Sequence, residues 1–436
     1  MPSPFCPAPP RAVLMGAVAM AAATFAASPS LADPAPSFLD LVQQARNTAP
    51  RLAISDADVS RAEGLRRQAA ARPNPTIGLE AENFAGSGIF RGFAQTETTL
   101  SVAQPIELGG KRPARIAVGD ADLGAARLRR EQDRAAFTYD LAAAYVDADA
   151  ADQRVALAEG ALSLAQDDLR VAKALVTAGK EAELRSLSAD AAVGQARAEL
   201  QAAKAARATS FNNLTALVGS PVPFTSLTTS LLGHADRAEP LPDVDPLRTP
   251  TYAAAEAERE AAARRVRLER TKAIPDVTVS FGVRRLNGAD SSSAALLGGA
   301  GRAATAFVGG VSIPIPVFDQ NRGNVSAAQA DLRAADARVN AAMLDAEADI
   351  RSALAQATAA EGRVGAALQG QKSAAEAYRL TRLGYEGGKL PLLEVINARR
   401  ALEDSSTQLL NARIGRLSAE AALARLQGVT PFGDRP

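Results

Sequence analysis

The stretch from Leu383 to Ala398, LGYEGGKLPLLEVINA, places two adjacent glycines between two segments with a helical pattern. Its Gly388-Lys389 dipeptide repeats Gly179-Lys180, which lies 209 positions earlier (388 − 179). The same offset relates two more pairs: Pro314-Ile315 to Pro105-Ile106, and Leu423 with Gly428 to Leu214 with Gly219. Because chance matches do not share one spacing, these three anchors predict a duplicated unit.

Each copy of the unit has the same predicted order of elements. A helix comes first, at Phe38–Ala71 and again at Pro250–Ala273, and a proline follows it. Two short segments of alternating polarity come next, and two long helical segments that meet at a glycine complete the unit. The predicted division of the chain is 1–32 signal peptide, 33–219 first repeat, 220–249 irregular linker, 250–428 second repeat and 429–436 tail.

The short segments have the period of two that is typical of β-strands. The apolar positions that share one face are Ile77, Leu79 and Ala81 in the first, Val277, Val279, Phe281 and Val283 in the third, and Phe307, Val311 and Ile313 in the fourth. The second segment, Thr96–Ala103, has the weakest pattern, with Leu100 and Val102. Segments of about 8–11 residues suit tilted strands that cross a bilayer. Four strands cannot close a barrel alone, so a membrane location requires several chains, and a soluble sheet with one wet face is the alternative.

The long segments carry a three-four spacing of small and apolar residues, which predicts coiled-coil packing. One such series is Val155, Ala158, Leu162, Ala165, Leu169, Ala172 and Val176, and a second is Val325, Ala328, Leu332, Ala335, Val339, Ala342 and Ala346. The helix predicted from Arg115 to Ala178 would be about 95 Å long at the usual rise of ~1.5 Å per residue. A helix of this length must project from any compact body, and the early helices are expected to pack beside it.

The N-terminus and the composition narrow the class of protein. Arg11, an apolar stretch and Ser30-Leu31-Ala32 predict a cleaved secretory signal, with a retained signal anchor as the alternative. The single cysteine, Cys6, lies in this segment, so the mature chain is expected to form neither a disulfide nor a thiolate metal site. The net charge of +1 argues against a nucleic-acid partner. His234, the only histidine, has no second histidine or cysteine near it, so we predict no metal site and no cofactor.

The mature chain as a whole resembles the TolC-type outer-membrane factors of tripartite efflux and secretion systems. The resemblance rests on the signal segment, the duplicated strand-strand-helix-helix unit and local sequence. Residues 383–398 are similar to the hairpin tip of that family, and residues 104–112, QPIELGGKR, resemble its CzcC-like branch of heavy-metal exporters. The resemblance implies a mainly α fold in which three chains, with four strands each, build one twelve-stranded barrel above a periplasmic coiled-coil α-barrel.

The same resemblance implies a function without catalysis. The chain would be a passive conduit in the outer membrane for divalent heavy-metal cations and not an enzyme. Its partners would be two further copies of itself, a periplasmic adaptor protein, an inner-membrane RND pump and outer-membrane lipid. Two alternatives stay open: a duct for drugs or for type I protein secretion, and a soluble periplasmic coiled-coil scaffold or adaptor.

Three groups of residues are the candidate functional sites. By resemblance, the gate is assigned to Glu394 and Asn397, where the first repeat has Arg185 and Ser188. Three copies of Glu394 would form a negative ring that favours cations, and an ordinary exposed helix carboxylate is the alternative. The expected adaptor contacts at the hairpin tips are Val176, Thr177, Ala178, Gly179, Leu383, Gly384, Gly387 and Gly388. The strand-to-helix turn contains Gln104, Pro105, Glu107, Gly109, Gly110, Lys111 and Arg112, of which Lys111 and Arg112 are expected near the inner lipid headgroups.

Overall fold

The computed structural model describes residues 34–90, 93, 95–237, 240–287 and 304–433. The predicted signal segment 1–32 lies outside the described residues, as do most of the loop between the last two strands and the final three residues.

The N-terminal helical region of the first repeat consists of two helices, α1 (Phe38–Thr48) and α2 (Pro50–Ala69). The prediction of one continuous helix to Ala71 was therefore wrong. The chain breaks at Ala49, which has an extended conformation (φ −71°, ψ 118°). Pro50 explains the break, because its ring disfavours the helical conformation of the preceding residue and it has no N–H to continue the hydrogen-bond ladder.

Five further helices build the long part of the molecule: α3 (Lys111–Thr177), α4 (Glu183–Val218), α5 (Pro250–Lys272), α6 (Arg322–Glu386) and α7 (Leu392–Gln427). At ~1.5 Å per residue, the 67 residues of α3 extend over about 100 Å. Helices α2 and α5 pack along the sheet-proximal halves of α3 and α6, while α4 and α7 pack along the other halves. The predicted seam is half-buried or buried throughout, and Ala165, Ala172, Ala335 and Ala342 are among its buried members.

The four strands form one antiparallel sheet in the order β1 (Thr76–Glu82), β2 (Glu97–Ile106), β3 (Val277–Leu286) and β4 (Ala304–Ser312). Strand β2 is three residues longer at its end than the pattern of apolar residues predicted, and it includes Pro105. Strand β1 begins at Thr76, opposite Ala103, so at Pro105 strand β2 has a partner only on the β3 side. A strand tolerates proline where one side is unpaired.

The register separates the sheet into an apolar and a polar face, as the alternation predicted. Leu79, Leu100, Val283 and Phe307 form one row of the apolar face, on which Phe281 and Phe307 stack with ring centroids 6.0 Å apart. These side chains are exposed, Leu79 by 74% and Phe307 by 77%. None of the described helices is both long and apolar enough to cross a membrane.

The linker between the repeats is bound to the middle of α3. The buried carboxylate of Asp149 accepts hydrogen bonds from the Leu231 and Leu232 amides (2.7 and 3.1 Å) and from the Ser230 hydroxyl (2.9 Å). Tyr145 is fully buried and donates to the Thr229 carbonyl over 2.7 Å. The linker therefore closes the main core cluster, in which α1, α3 and α4 meet.

Candidate functional site

The two hairpin tips end their first helices with the same hydrogen bonds. In the first tip, the Gly179 and Lys180 amides donate to the Val176 and Leu175 carbonyls (3.0 and 2.9 Å). In the second, the Gly388 and Lys389 amides donate to the Tyr385 and Gly384 carbonyls (2.9 and 2.8 Å). Gly179 and Gly388 have φ values of +68° and +70°, the left-handed conformation that this C-terminal motif requires. The conserved spacing in the sequence thus corresponds to one turn used twice.

Most of the predicted tip residues are exposed, and Val176 and Gly384 are the exceptions. Thr177, Ala178 and Gly179 are exposed on the first tip, and so are Gly387 and Gly388 on the second. Val176 is half-buried, while Leu383 is 55% exposed. A Cβ on Gly384 would lie 2.6 Å from Cδ1 of Leu390, so this glycine permits close packing inside the turn. Leu383 is therefore the better contact candidate of the two.

The first two turns of α7 present Glu394 and Asn397 on one exposed face, because the two residues are three positions apart. Neither side chain makes a hydrogen bond or ion pair with any part of the chain that the structure describes. The equivalent side chains of the first repeat have partners within the chain. Arg185 pairs with Glu181 at 3.7 Å, and the Ser188 hydroxyl donates to the Leu184 carbonyl at 2.9 Å. An acidic side chain in a helix's first turn is also favoured by the helix dipole.

A buried polar cluster behind the tip joins the two hairpins, and it was not predicted from the sequence. Arg399 of α7 is 6% exposed and its Nε lies 3.2 Å from Oδ2 of Asp168 on α3. The pair is not aligned as a hydrogen bond, so charge attraction holds it. Tyr378 of α6 donates its hydroxyl to Asp168 over 3.4 Å, and Arg399 also donates to Glu403 over 2.5 Å. A signal was present in the sequence: Arg399 continues the stripe of α7 that starts with Leu392 and Val395, which are both fully buried.

Burial dominates the electrostatics of this cluster. It raises the pKa of Asp168 above its ordinary value, although Arg399 and Tyr378 act in the opposite direction. Burial, with the nearby Asp168, also raises the pKa of Tyr378 to about 12. The cluster is thus a desolvated contact between the hairpins, in which the cation of Arg399 favours the ionised form of the Asp168 carboxyl against the effect of burial.

The QPIELGGKR segment forms a joint between the sheet and the helices. Arg115, one turn into α3, makes a two-pronged ion pair with Glu107. The same guanidinium donates to the carbonyls of Ala69 and Ala71 (both 2.8 Å) at the end of α2. A cation there satisfies carbonyls that the helix leaves unpaired. The segment therefore fixes α2 against α3 directly below the sheet.

The basic residues of the joint have partners inside the chain. Lys111 pairs with Asp276 at 2.7 Å and Arg112 donates to the Ala70 carbonyl at 3.0 Å. The side chain of Lys111 is only 13% exposed, because it makes this internal ion pair. The expected position of Lys111 and Arg112 near the inner lipid headgroups stays a prediction. Gln104 ties strand β2 to the Pro73 carbonyl at 3.0 Å. The second repeat lacks these arginines and uses Asn321, whose amide donates to the Glu269 carbonyl at 2.7 Å.

The structure therefore brings the residues of the predicted gate and of the hairpin tips together and places the joint at the opposite end of α3. Nowhere in the described residues do three or more histidine, cysteine or acidic side chains form a group that could hold a metal ion. His234 packs edge-on against Phe432, and its Nε2 lies 3.3 Å from Glu420.

Comparison with known proteins identifies the class. The family model described as "Outer membrane efflux protein" matches residues 41–220 and 247–429. The chain belongs to this family, which is one of transport components rather than enzymes. Its members are trimeric outer-membrane channels that extend into the periplasm and work with adaptor proteins and pumps, and the predicted location in the outer membrane is confirmed.

Heavy-metal resistance proteins are among its relatives. The nickel and cobalt resistance protein CnrC of Cupriavidus metallidurans is 40% identical over 91% of this chain and 92% of that protein. The nickel-cobalt-cadmium resistance protein NccC of Alcaligenes xylosoxydans xylosoxydans is 38% identical over 91% and 88%. CzcC of C. metallidurans is 27% identical over 86% of each chain. The predicted resemblance to this branch is confirmed.

A solved structure of CusC shares the fold, with a TM-score of 0.75 and 20% identity over 92% of this chain and 96% of that chain. The predicted fold class, a TolC-like duplicated β-β-α-α unit that is mainly helical with a small sheet, is confirmed.

Proposed function

We propose that this protein is the outer-membrane channel of a tripartite efflux system that exports divalent heavy-metal cations. The observation that carries the proposal is the 40% identity with CnrC over nearly the whole of both chains. Substrate chemistry need not be read from a binding pocket here, because a passive conduit selects through its lining charges and its partners.

The proposed assembly is a homotrimer, and the sheet supports it. Strands β1 and β4 each pair on one side only within the described residues, so the sheet has two open edges of backbone donors and acceptors. Open edges cannot be left unpaired in a bilayer. Three copies would pair β4 of one chain with β1 of the next, with the apolar face toward lipid and the polar face toward the lumen.

Within this assembly, Glu394 and Asn397 are the proposed gate, and the exposed tip residues are the proposed contact with a periplasmic adaptor. Glu394 makes no ion pair or hydrogen bond with the described residues, and this supports the assignment. A carboxylate without an internal partner keeps its full charge available to attract passing cations. Three copies near the symmetry axis would lower the energy of a cation and raise that of an anion at the constriction.

Substituting Glu394 with glutamine is expected to reduce the cation-over-anion permeability ratio about two- to threefold in planar bilayers, because the ring loses its charge. Asp404→Asn is the matched control: Asp404 is also exposed and unpaired on α7 within the described residues, but it lies ten residues further along the helix. An unchanged ratio in Glu394→Gln, or an equal loss in Asp404→Asn, would remove Glu394 from the gate.

Deletion of the gene from its host tests the substrate. We expect the minimal inhibitory concentrations of nickel, cobalt and cadmium to fall severalfold, with zinc and copper measured beside them, and a plasmid copy to restore growth. A drug panel is the comparison arm. Sensitivity to drugs alone would assign the duct to drug export, and a protein found only in the soluble periplasmic fraction would favour the scaffold alternative.

A further inference from the structure

Two neighbouring arginines of β3 point to opposite faces of the sheet. Arg284 lies on the polar face, where it donates to Glu97 (2.9 Å) and Thr99 (3.1 Å) and pairs with Glu82 (3.4 Å). Arg285 lies on the apolar face, because side chains alternate along a strand. It is exposed and makes no hydrogen bond or ion pair with the described parts of the chain. Arg285 is therefore a cation on a face that is mainly apolar.

Its position along the strand is specific. On the apolar face, Arg285 follows Val279, Phe281 and Val283 and is flanked across the sheet by Thr98 and Thr305. From Val277 at the helix-proximal end, eight residues at about 3.4 Å each and a tilt of about 40° give a height of about 20 Å. The apolar band of outer-membrane barrels is about 25 Å tall. A band of this height that begins at Val277 would therefore place Arg285 within about 5 Å of its outer end, on the side away from the helices.

The surface at this position is a shallow amphipathic depression. An open depression of about 600 Å³ is lined by Thr98, Leu100, Val283, Arg285 and Asn287. Leu100 and Val283 form its apolar part, and Arg285, Thr98 and Asn287 form its polar part. A ligand that fits this arrangement carries an anionic group next to hydrocarbon. A guanidinium recognises phosphate well because it donates several hydrogen bonds in one plane.

We propose that Arg285 binds a lipid A phosphate of the outer leaflet, with an acyl chain of the same lipid against Leu100 and Val283. This inference rests on the proposed trimer, which turns the apolar face toward lipid. The end of the sheet away from the helices faces the cell exterior, where lipid A is the anionic lipid. Three copies of Arg285 would define the outer edge of the apolar band, which aromatic residues mark only sparsely in this chain.

The test uses the purified full-length trimer in detergent and measures the temperature at which it dissociates into monomers on a gel. We expect lipid A with both phosphates to raise this temperature more than enzymatically dephosphorylated lipid A does. This comparison uses the unmodified protein and does not depend on a variant that folds. Inorganic phosphate at the same phosphate concentration is expected to give no rise, because it lacks the acyl chain.

Variants then assign the effect to one side chain. Arg285→Gln is expected to lose at least half of the rise that the phosphates give, and Arg285→Lys to keep a part of it, because lysine retains the charge but not the planar set of donors. Arg284→Gln, next in the chain but on the other face, is expected to keep the full phosphate-dependent rise. An equal rise with both lipids, or a full rise in Arg285→Gln, would overturn the lipid site and leave the proposed channel intact. Failure to isolate any heat-dissociable trimer from outer membranes would instead overturn the proposed channel.

Discussion

Replacing Arg399 with leucine is expected to destabilise the tip region by about 3–5 kcal/mol, because the carboxylate of Asp168 would stay buried without its cation. Asp168 is 6% exposed and comes from the other hairpin, so the loss falls on the contact between hairpins. Hydrogen exchange of the tip amides measures this loss directly as a lower free energy of local opening.

Substitution of the partner residue, Asp168, is expected to cost less stability than substitution of Arg399. Asp168→Asn removes the carboxylate but leaves Arg399 its ion pair with Glu403 at 2.5 Å, and an asparagine can still accept from Tyr378. The double variant Arg399→Leu with Asp168→Asn is therefore expected to be more stable than Arg399→Leu alone. A strictly additive double variant would show that the two residues are not coupled.

The matched control is Arg379→Leu. Arg379 is on α6 near the same level and pairs with Glu376 at 2.7 Å, but its side chain is 58% exposed. Exposed pairs contribute about 0–1 kcal/mol, so the exchange of the tip is expected to stay near that of the unmodified protein. A loss in Arg379→Leu as large as in Arg399→Leu would mean that burial is not the cause.

The pH dependence of stability follows from the upward shift of the Asp168 pKa. A carboxyl whose folded pKa is raised binds its proton more tightly in the folded state. Its contribution to stability is therefore fully present below the ordinary pKa and is lost as the pH rises through the raised value. In Arg399→Leu, acidification through that window is expected to shrink the penalty, since a neutral Asp168 no longer needs a cation.

How much the sequence predicts depends on the range of the interaction. The strand faces and the helical seams are repeated local patterns, and burial follows the predicted residues, such as Ala165 and Val339. The tip turns follow from glycine, because the left-handed conformation restricts the choice of residue. The duplication could also be predicted, because a constant offset between similar motifs is a property of the linear sequence.

Contacts between distant segments are a different matter. Asp168 and Arg399 are 231 positions apart (399 − 168), and neither lies in a motif. The partners of Lys111 and Arg112 were equally hidden, because a basic pair after a strand is compatible with lipid headgroups or with internal carboxylates. Only the packing of the α2 end and of the segment before β3 around the joint brings the Ala70 carbonyl and the Asp276 carboxylate beside these two residues.

Two adjacent glycines of the joint between sheet and helices, Gly109 and Gly110, differ in how closely the rest of the chain approaches them, so the variant of one is a control for the variant of the other. Gly109 and Gly110 both have positive φ values, +66° and +74°. A Cβ on Gly110 would meet nothing within 4 Å, whereas a Cβ on Gly109 would lie 2.5 Å from Cδ1 and 2.8 Å from Cβ of Ile274. An alanine at either position would have a strained backbone. Only at position 109 would its Cβ also collide with Ile274, in the segment between α5 and β3.

Gly110→Ala is therefore expected to lower the free energy of unfolding by about 1 kcal/mol, the usual cost of a left-handed alanine. Gly109→Ala is expected to cost about 1–3 kcal/mol more, because the contact with the Ile274 Cβ cannot be relieved by a side-chain rotation alone. Denaturation of the purified protein in detergent measures both. Adding Ile274→Ala to Gly109→Ala removes the outer atoms of that contact and is expected to return part of the extra loss, while the same addition to Gly110→Ala is expected to return none. Equal losses in the two glycine variants would show that the close approach of Ile274, and with it the tight joint between sheet and helices, does not limit stability.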